Sequence, residues 1–307
     1  MNLQKIRTTT IFSWHAAALV LAVCLLPGCS QQSAQPDDGM TEAQSKAGEA
    51  RARLSASEGG QLVLRAIEAH GGLEAWYSAP TSSYSWEYSN VGSNRRFKTF
   101  LVADNATRRI YHKFQTLGTP EKTEPFEGSF AWDGENAWIS PPDVEGINPR
   151  FWAATGFYFE QMPFVLADPG ISYEVLPDEE LDGVPHDMVK CSFGPGVGDS
   201  PGDTYTLYVN KDTGMVSALR YIVTYNRRER PDGPRETLFY YEDYVEVDGL
   251  KVATHFNGFW FEDGKKSEFK NEAWASDISF RRPFDESQLQ MPPGARIEPP
   301  PGQAQGD

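Results

Sequence analysis

The sequence predicts a mainly β fold of the α+β class: an antiparallel meander of about 10–11 strands, preceded by one helix and interrupted by an aromatic helical segment. Three observations predict it. Apolar and polar residues alternate with period two over long stretches, Asp-Gly pairs punctuate those stretches, and one run after Asn148 is apolar on every side. A sheet of that many strands must curl.

The chain begins with Lys5 and Arg7, an apolar run of 11 residues from Ala16 to Leu26, and then Pro27-Gly28-Cys29. Charge, apolar core and small residues in that order read as a secretory signal, too short to span a bilayer as a helix. Leu26-Pro27-Gly28-Cys29 resembles the lipobox of bacterial lipoproteins. The resemblance implies cleavage after residue 28 and lipidation of Cys29 by a diacylglyceryl group and an amide-linked acyl chain. Two or more chains give stable anchoring, at roughly 0.8 kcal/mol per buried methylene. Residues 29–57 are then expected to be the lipidated cysteine and a flexible tether, because Ser30 to Ser57 contains no aromatic residue. As a coil of that length it would hold a domain roughly 30 Å from the membrane. Glu49 to Leu54 has some helical character without changing that role.

Cys24 leaves with the signal, so Cys191 is left as the one cysteine of the domain. An intrachain disulfide and a zinc site built on paired cysteines are both excluded. Loss of Lys5 and Arg7 takes the formal charge from −15 to −17, which argues against nucleic acid as a partner.

The domain is expected over residues 58–295, with 296–307 as a disordered tail. Glu58 to His70 reads as a helix stopped by Gly71-Gly72. Tyr84, Trp86 and Tyr88 then alternate with serines and Glu87, and Phe97, Thr99 and Leu101 with Arg96 and Lys98. Asp-Gly pairs at 133–134, 182–183, 232–233, 248–249 and 263–264 supply the positive φ angles of tight hairpins. Asn148-Pro149 is a good helix start, and Arg150 to Ala167 follows it, divided or kinked at Pro163. A helix so apolar needs a concave partner and serves as either a core plug or a movable lid.

Ala69-His70-Gly71-Gly72, the long meander, the aromatic insertion ending in Ala167-Asp168-Pro169-Gly170, and Leu207-Tyr208-Val209-Asn210-Lys211-Asp212-Thr213-Gly214 together resemble the LolA/LolB superfamily. So do Tyr244 to Ala253 and Phe284-Asp285-Glu286-Ser287. These are periplasmic lipoprotein carriers, outer-membrane receptors and sorting-like lipoproteins of unassigned role. The resemblance implies a strongly curved, incomplete antiparallel barrel with helices over its open side, enclosing an apolar cavity that receives acyl chains.

Aromatic residues are 13% of the chain, a surplus that can line such a cavity. Candidate lining residues are Trp86, Phe97, Trp138, Trp152, Phe157, Phe159, Tyr221, Phe256 and Trp260. No catalytic residue is assigned. Glu68 and His70 would point in different directions on a helix, and His112, His186 and His255 stand isolated. There is no Gly-x-Ser-x-Gly elbow, and Gly194-Pro195-Gly196-Val197-Gly198 lacks the lysine of a phosphate loop. Arg227-Arg228-Glu229-Arg230 is a basic island at a hairpin tip.

The expected function is therefore that of a non-enzymatic, membrane-anchored periplasmic lipoprotein. It would bind a lipid or an acylated polypeptide, without a cofactor or metal, and contact the membrane through its lipid anchor. Ser30 after the cysteine favours the outer membrane by analogy with proteobacterial sorting. Two alternatives stand beside this reading: a protein-interaction or envelope-sensing module with a filled core, and an envelope hydrolase.

Overall fold

The computed structural model describes residues 41–194, 199–200, 202–225 and 235–301. Cys29 and the signal, Asp232-Gly233, the Arg227–Arg230 island and most of the Gly194–Gly198 loop lie outside the described residues.

Thr41 opens helix α1 (Glu42–Ser55) with a capping box: its hydroxyl accepts from the Gln44 amide at 3.2 Å, and Gln44 Oε1 accepts from the Thr41 amide at 2.9 Å. Ala47, Ala50 and Leu54 are buried against α2 (Glu58–Ala69) and α3 (Leu73–Ser78). The expected tether is thus corrected over this span. Alanines at i and i+3 with a leucine at i+7 make a narrow apolar stripe that needs no aromatic residue to dock. Helix α2 ends at His70, and Gly71 follows with φ of 120°. A Cβ at Gly71 would stand 2.2 Å from the Gly249 carbonyl, so both the dihedral and the close backbone approach require glycine.

Fourteen strands form one antiparallel sheet: β1 (Thr81–Asn90), β2 (Arg95–Asp104), β3 (Ile110–Gly118), β4 (Thr123–Pro125), β5 (Ser129–Trp132), β6 (Ala137–Ser140), β7 (Ile171–Leu181), β8 (Val184–Phe193), β9 (Thr204–Asn210), β10 (Val216–Ile222), β11 (Glu236–Glu242), β14 (His255–Glu262), β15 (Lys265–Ser279) and β16 (Arg296–Glu298). Strands β12 (Val245–Val247) and β13 (Leu250–Val252) make a separate hairpin. The order is β16, β6, β5, β3, β2, β1, β15, β14, β11, β10, β9, β8, β7, with β4 on β3. Two meanders are therefore stitched together by the β1–β15 pairing, and β16 and β7 remain as unjoined edges. The sheet is a curved, incomplete barrel.

Asp182-Gly183, Asp248-Gly249 and Asp263-Gly264 all take positive φ and close the β7–β8, β12–β13 and β14–β15 hairpins. Asp133 closes β5–β6, its Oδ1 accepting from the amides of Glu135 and Asn136 at 2.8 and 2.7 Å. More strands are present than the alternation predicts, because β4, β12, β13 and β16 have 3 residues each, too few to show a period. Strand β16 also corrects the expected disordered tail at its start. Its residues pair with β6, and Arg296 donates to the carbonyls of Pro142 at 3.0 Å and Val144 at 3.2 Å.

Helix α4 (Pro149–Glu160) and a 3-10 turn (Phe164–Ala167) lie in the concavity, with Pro163 between them. Asn148 starts α4 by accepting from the Phe151 amide at 3.0 Å, with Pro149 at the first helical position. Cross-strand partners place Tyr84, Trp86 and Tyr88 of β1, Phe97 and Thr99 of β2, Phe239 and Tyr241 of β11, and Phe256 of β14 on the concave face that α4 covers.

Candidate functional site

Helix α4 is seated by the sheet through its own backbone. A Cβ at Gly156 would lie 3.2 Å from Trp86 Cδ1, so the absence of a side chain lets the helix rest on the indole. Phe157 is fully buried, its ring 6.5 Å from that of Trp76 and 5.2 Å from the Arg108 guanidinium. Tyr241 donates its hydroxyl to the Phe159 carbonyl at 2.8 Å. His112 Nε2 lies 3.1 Å from the Ala153 carbonyl and Nδ1 3.0 Å from Thr99 Oγ1. A carbonyl only accepts, so Nε2 carries the proton and Nδ1 accepts from the threonine. Burial holds this imidazole neutral, its pKa lowered to about 4, against the raising effect of the Ala153 bond. In this conformation the aromatic insertion is a plug.

The plug leaves one side open. Between α4 and the ends of β8, β9 and β10 runs a crevice of about 300 Å³, walled by Phe151, Tyr158 and Phe159 on the helix and by Phe193, Tyr205, Val223 and Tyr225 on the rim. That is room for about ten waters and falls at the small end of ligand pockets. Two arginines flank it, each held by an aspartate. Arg150 stacks 4.7 Å above Trp132 and pairs with Asp199 at 2.5 and 3.0 Å; Arg108 meets both oxygens of Asp168 at 2.8 and 2.9 Å. A larger groove of about 580 Å³ follows the loop from Pro142 to Asn148 with Arg296 and Glu298, but it is shallow, and Trp152 is its one aromatic wall. We place the candidate site in the smaller, aromatic crevice on that chemistry.

The structure distributes the nine candidate lining residues unevenly. Trp86, Phe97, Phe157 and Phe256 are buried beneath or within the plug, with ring centroids 5.3 Å apart for Trp86–Phe256 and 5.0 Å for Phe97–Trp152. Phe159 and Tyr221 meet at 4.8 Å, and Phe159 reaches the crevice. Trp152 sits at the start of α4, half-buried against Tyr88. Trp260 lies at the rim, 3.8 Å below the Arg235 guanidinium and 4.4 Å from Lys270 Nζ. Trp138 is on the other face of the sheet, donating to the Leu289 carbonyl at 3.2 Å in a small cluster with Ala131. Phe151, Tyr158 and Tyr205 were not among the candidates. Phe151 and Tyr158 are seven residues apart on one helix face, and Tyr205 is the cross-strand partner of Tyr221.

At its far end α4 carries polar groups into the apolar interior. Glu160 and Gln161 are buried, Gln161 Nε2 donates to Glu160 Oε2, and the Tyr84 hydroxyl faces the Gln161 side chain. Glu160 Oε1, Gln161 Oε1, Tyr84 Oη and Trp86 Nε1 have no hydrogen-bond partner among the described residues. Burial holds the Glu160 carboxyl well above the usual carboxylate range.

The remaining histidines serve locally. His70 Nδ1 donates to the Ala66 carbonyl at 2.7 Å, closing α2, and burial lowers its pKa to about 4. His186 bridges the Val184 carbonyl and Ser217 Oγ at 2.8 Å each. His255 stands among Glu272, Glu242 and Asp243 at 2.8, 3.4 and 3.9 Å, in register with Trp274 on the outer face and away from the crevice. No three His, Cys, Asp or Glu side chains among the described residues stand as a metal site. The Cys191 thiol is buried and pushed far up by that burial.

An open antiparallel barrel with a helix in its concavity and an aromatic crevice beside that helix is the class of protein these features define. No protein-family model matches the sequence, and no curated protein matches it. Solved structures similar to the chain include a LolA superfamily protein from Nitrosomonas europaea, 10% identical, with a TM-score of 0.49 over 76% of this chain and 97% of that one. A DUF1329 family protein from Desulfovibrio piger is 11% identical, with a TM-score of 0.42 over 76% and 97%.

Proposed function

We propose that this chain is a lipid-anchored protein of the cell envelope that holds an apolar molecule, an acyl chain or an acylated polypeptide, in the crevice between α4 and the ends of β8, β9 and β10. One observation carries the reading: six aromatic side chains from the helix and the rim, Phe151, Tyr158, Phe159, Phe193, Tyr205 and Tyr225, converge on an unfilled space of about 300 Å³. Aromatic walls of this kind are suited to burying a chain. The signal and Cys29 support the envelope and the lipid anchor, with the outer membrane as the favoured site. The acidic charge supports a partner other than nucleic acid.

A chain-length series tests this. Fluorescent single-chain fatty acids of increasing length, titrated into detergent-free protein, should bind about fourfold more tightly per added methylene, the equivalent of ~0.8 kcal/mol. The gain should stop once the chain outgrows the crevice. Affinity independent of length would count against apolar burial. The filled concavity under α4 favours a second reading, an interaction module that binds through its surface, and absence of any uptake would select it.

A further inference from the structure

Buried polar groups in native proteins are almost always paired, and a carboxyl is among the most costly to leave unpaired. Along the last turns of α4 the rule is broken four times, at Glu160, Gln161 and Tyr84 and, beside Gly156, at Trp86. Glu160 is 1% exposed and belongs to the helix that occupies the concavity, and no lysine, arginine or histidine among the described residues pairs with it. A carboxylate there would be out of bulk solvent with no counter-charge among the described residues. A neutral carboxylic acid, whose Oε2 accepts from Gln161 Nε2, costs far less to leave in that bed.

The geometry points to Glu160 as a proton-dependent latch on α4: with its proton the residue stays in the apolar bed and the helix is seated, and on ionising it leaves with the end of the helix and uncovers that bed. The uncovered surface, with Trp86, Phe239, Tyr241 and Phe256, is a second apolar face beside the crevice. Its use by a ligand rests on the binding role proposed above, whereas the latch does not.

The groups around Glu160 decide which pH range reports on it. Tyr84 from β1 and Tyr241 and Tyr244 from β11 and the turn after it face Glu160, and burial raises all three above the ordinary tyrosine value, so they stay neutral. His70 lies beyond Tyr244 at 3.3 Å, and His112 meets α4 one turn earlier at Ala153. Both histidines are lowered to about 4 from 6.5, so they favour the seated, neutral form above 6.5 and favour opening as pH falls between 6.5 and 4. Glu160 has the opposite sign. Its seated form holds a proton that the exposed form, with an ordinary value of 4.5, has lost, so unseating is favoured as pH rises above 4.5 toward the seated value. Above about pH 6.5 the histidines contribute no slope, so a rise of opening with pH in that range reports on Glu160.

Hydrogen exchange of the mature chain, followed by mass spectrometry between about pH 6.5 and 8.5 and corrected for intrinsic exchange, tests the latch. Protection of amides 151–162 should fall as pH rises in the wild type, with about tenfold per unit as the single-proton limit, while amides of β9 and β10 keep theirs. Glu160→Gln should abolish the slope, and Glu160→Met should do the same by a different chemistry. A flat wild-type profile overturns the latch without recourse to any variant, and so does an unchanged slope in folded Glu160→Gln or Glu160→Met protein. Fatty-acid uptake over the same range separates the two proposals. Absence of uptake with the exchange slope intact removes the ligand reading alone, and uptake without the slope removes the latch alone.

Discussion

Phe157→Ala is expected to lower the stability of the fold by about 3–5 kcal/mol, measured as a drop in the urea midpoint with little change in slope. The side chain has no exposed surface and sits at the centre of α4, between Trp76 and the Arg108 guanidinium. The guanidinium is already engaged by both oxygens of Asp168 at 2.8 and 2.9 Å and Trp76 walls another side, so the space left behind should accept a small apolar molecule. The same substitution should therefore raise uptake of a small apolar probe while it destabilises the protein. Trp138→Ala gives the control. Trp138 is just as buried, but its cluster with Ala131 and Leu289 is on the opposite face, so stability should fall without any gain in uptake. Equal effects of the two variants on uptake would contradict the assignment of α4 as the occupant of the concavity.

Tyr158→Glu is expected to weaken fatty-acid binding at least tenfold and leave the fold in place. Tyr158 is only partly buried and forms a wall of the crevice, so its loss removes little core. A carboxylate at that position would face the apolar chain with no cation free among the described residues of the crevice, because Arg108 is held by Asp168 and Arg150 by Asp199. Burying such a charge beside a ligand costs at least several kcal/mol, more than a tenfold loss requires. Tyr158→Phe should bind as the wild type does, since the ring and not the hydroxyl is what the crevice uses. Tenfold weaker binding in Tyr158→Phe would show that the hydroxyl, and hence a polar head, is recognised there.

Much of this architecture can be read in advance because its signals are local. The positive-φ Asp-Gly pairs needed no tertiary knowledge, and neither did the alternation of Tyr84, Trp86 and Tyr88, which names the concave face of β1. The start of α4 at Asn148-Pro149 and its interruption at Pro163 were equally plain. Other features were hidden for physical reasons. The face of Trp138 depends on which side of a four-residue strand meets the core, and Ala-Trp-Ile alternates too briefly to say. An all-apolar helix carries no contrast between its sides, so the pattern of α4 could not show that Phe151 and Tyr158 face the crevice while Ala153 meets His112 of β3 and Phe157 packs against Trp76 of α3. Tyr205 and Tyr221 come together only through the β9–β10 register. Helix α1 showed in the sequence only as helical character over Glu49 to Leu54, and its docking was hidden because alanine, which buries well, is also abundant in tethers.

The crevice itself is the claim on which the functional reading stands, and a photoreactive fatty acid tests it directly. A diazirine at the end of a medium-length chain, irradiated with the mature protein and mapped by peptide mass spectrometry, should label residues 151–159 and 205–225. Labelling confined to the outer face, around Trp138 or Trp274, or uniform labelling that excess unlabelled fatty acid does not displace, would contradict it.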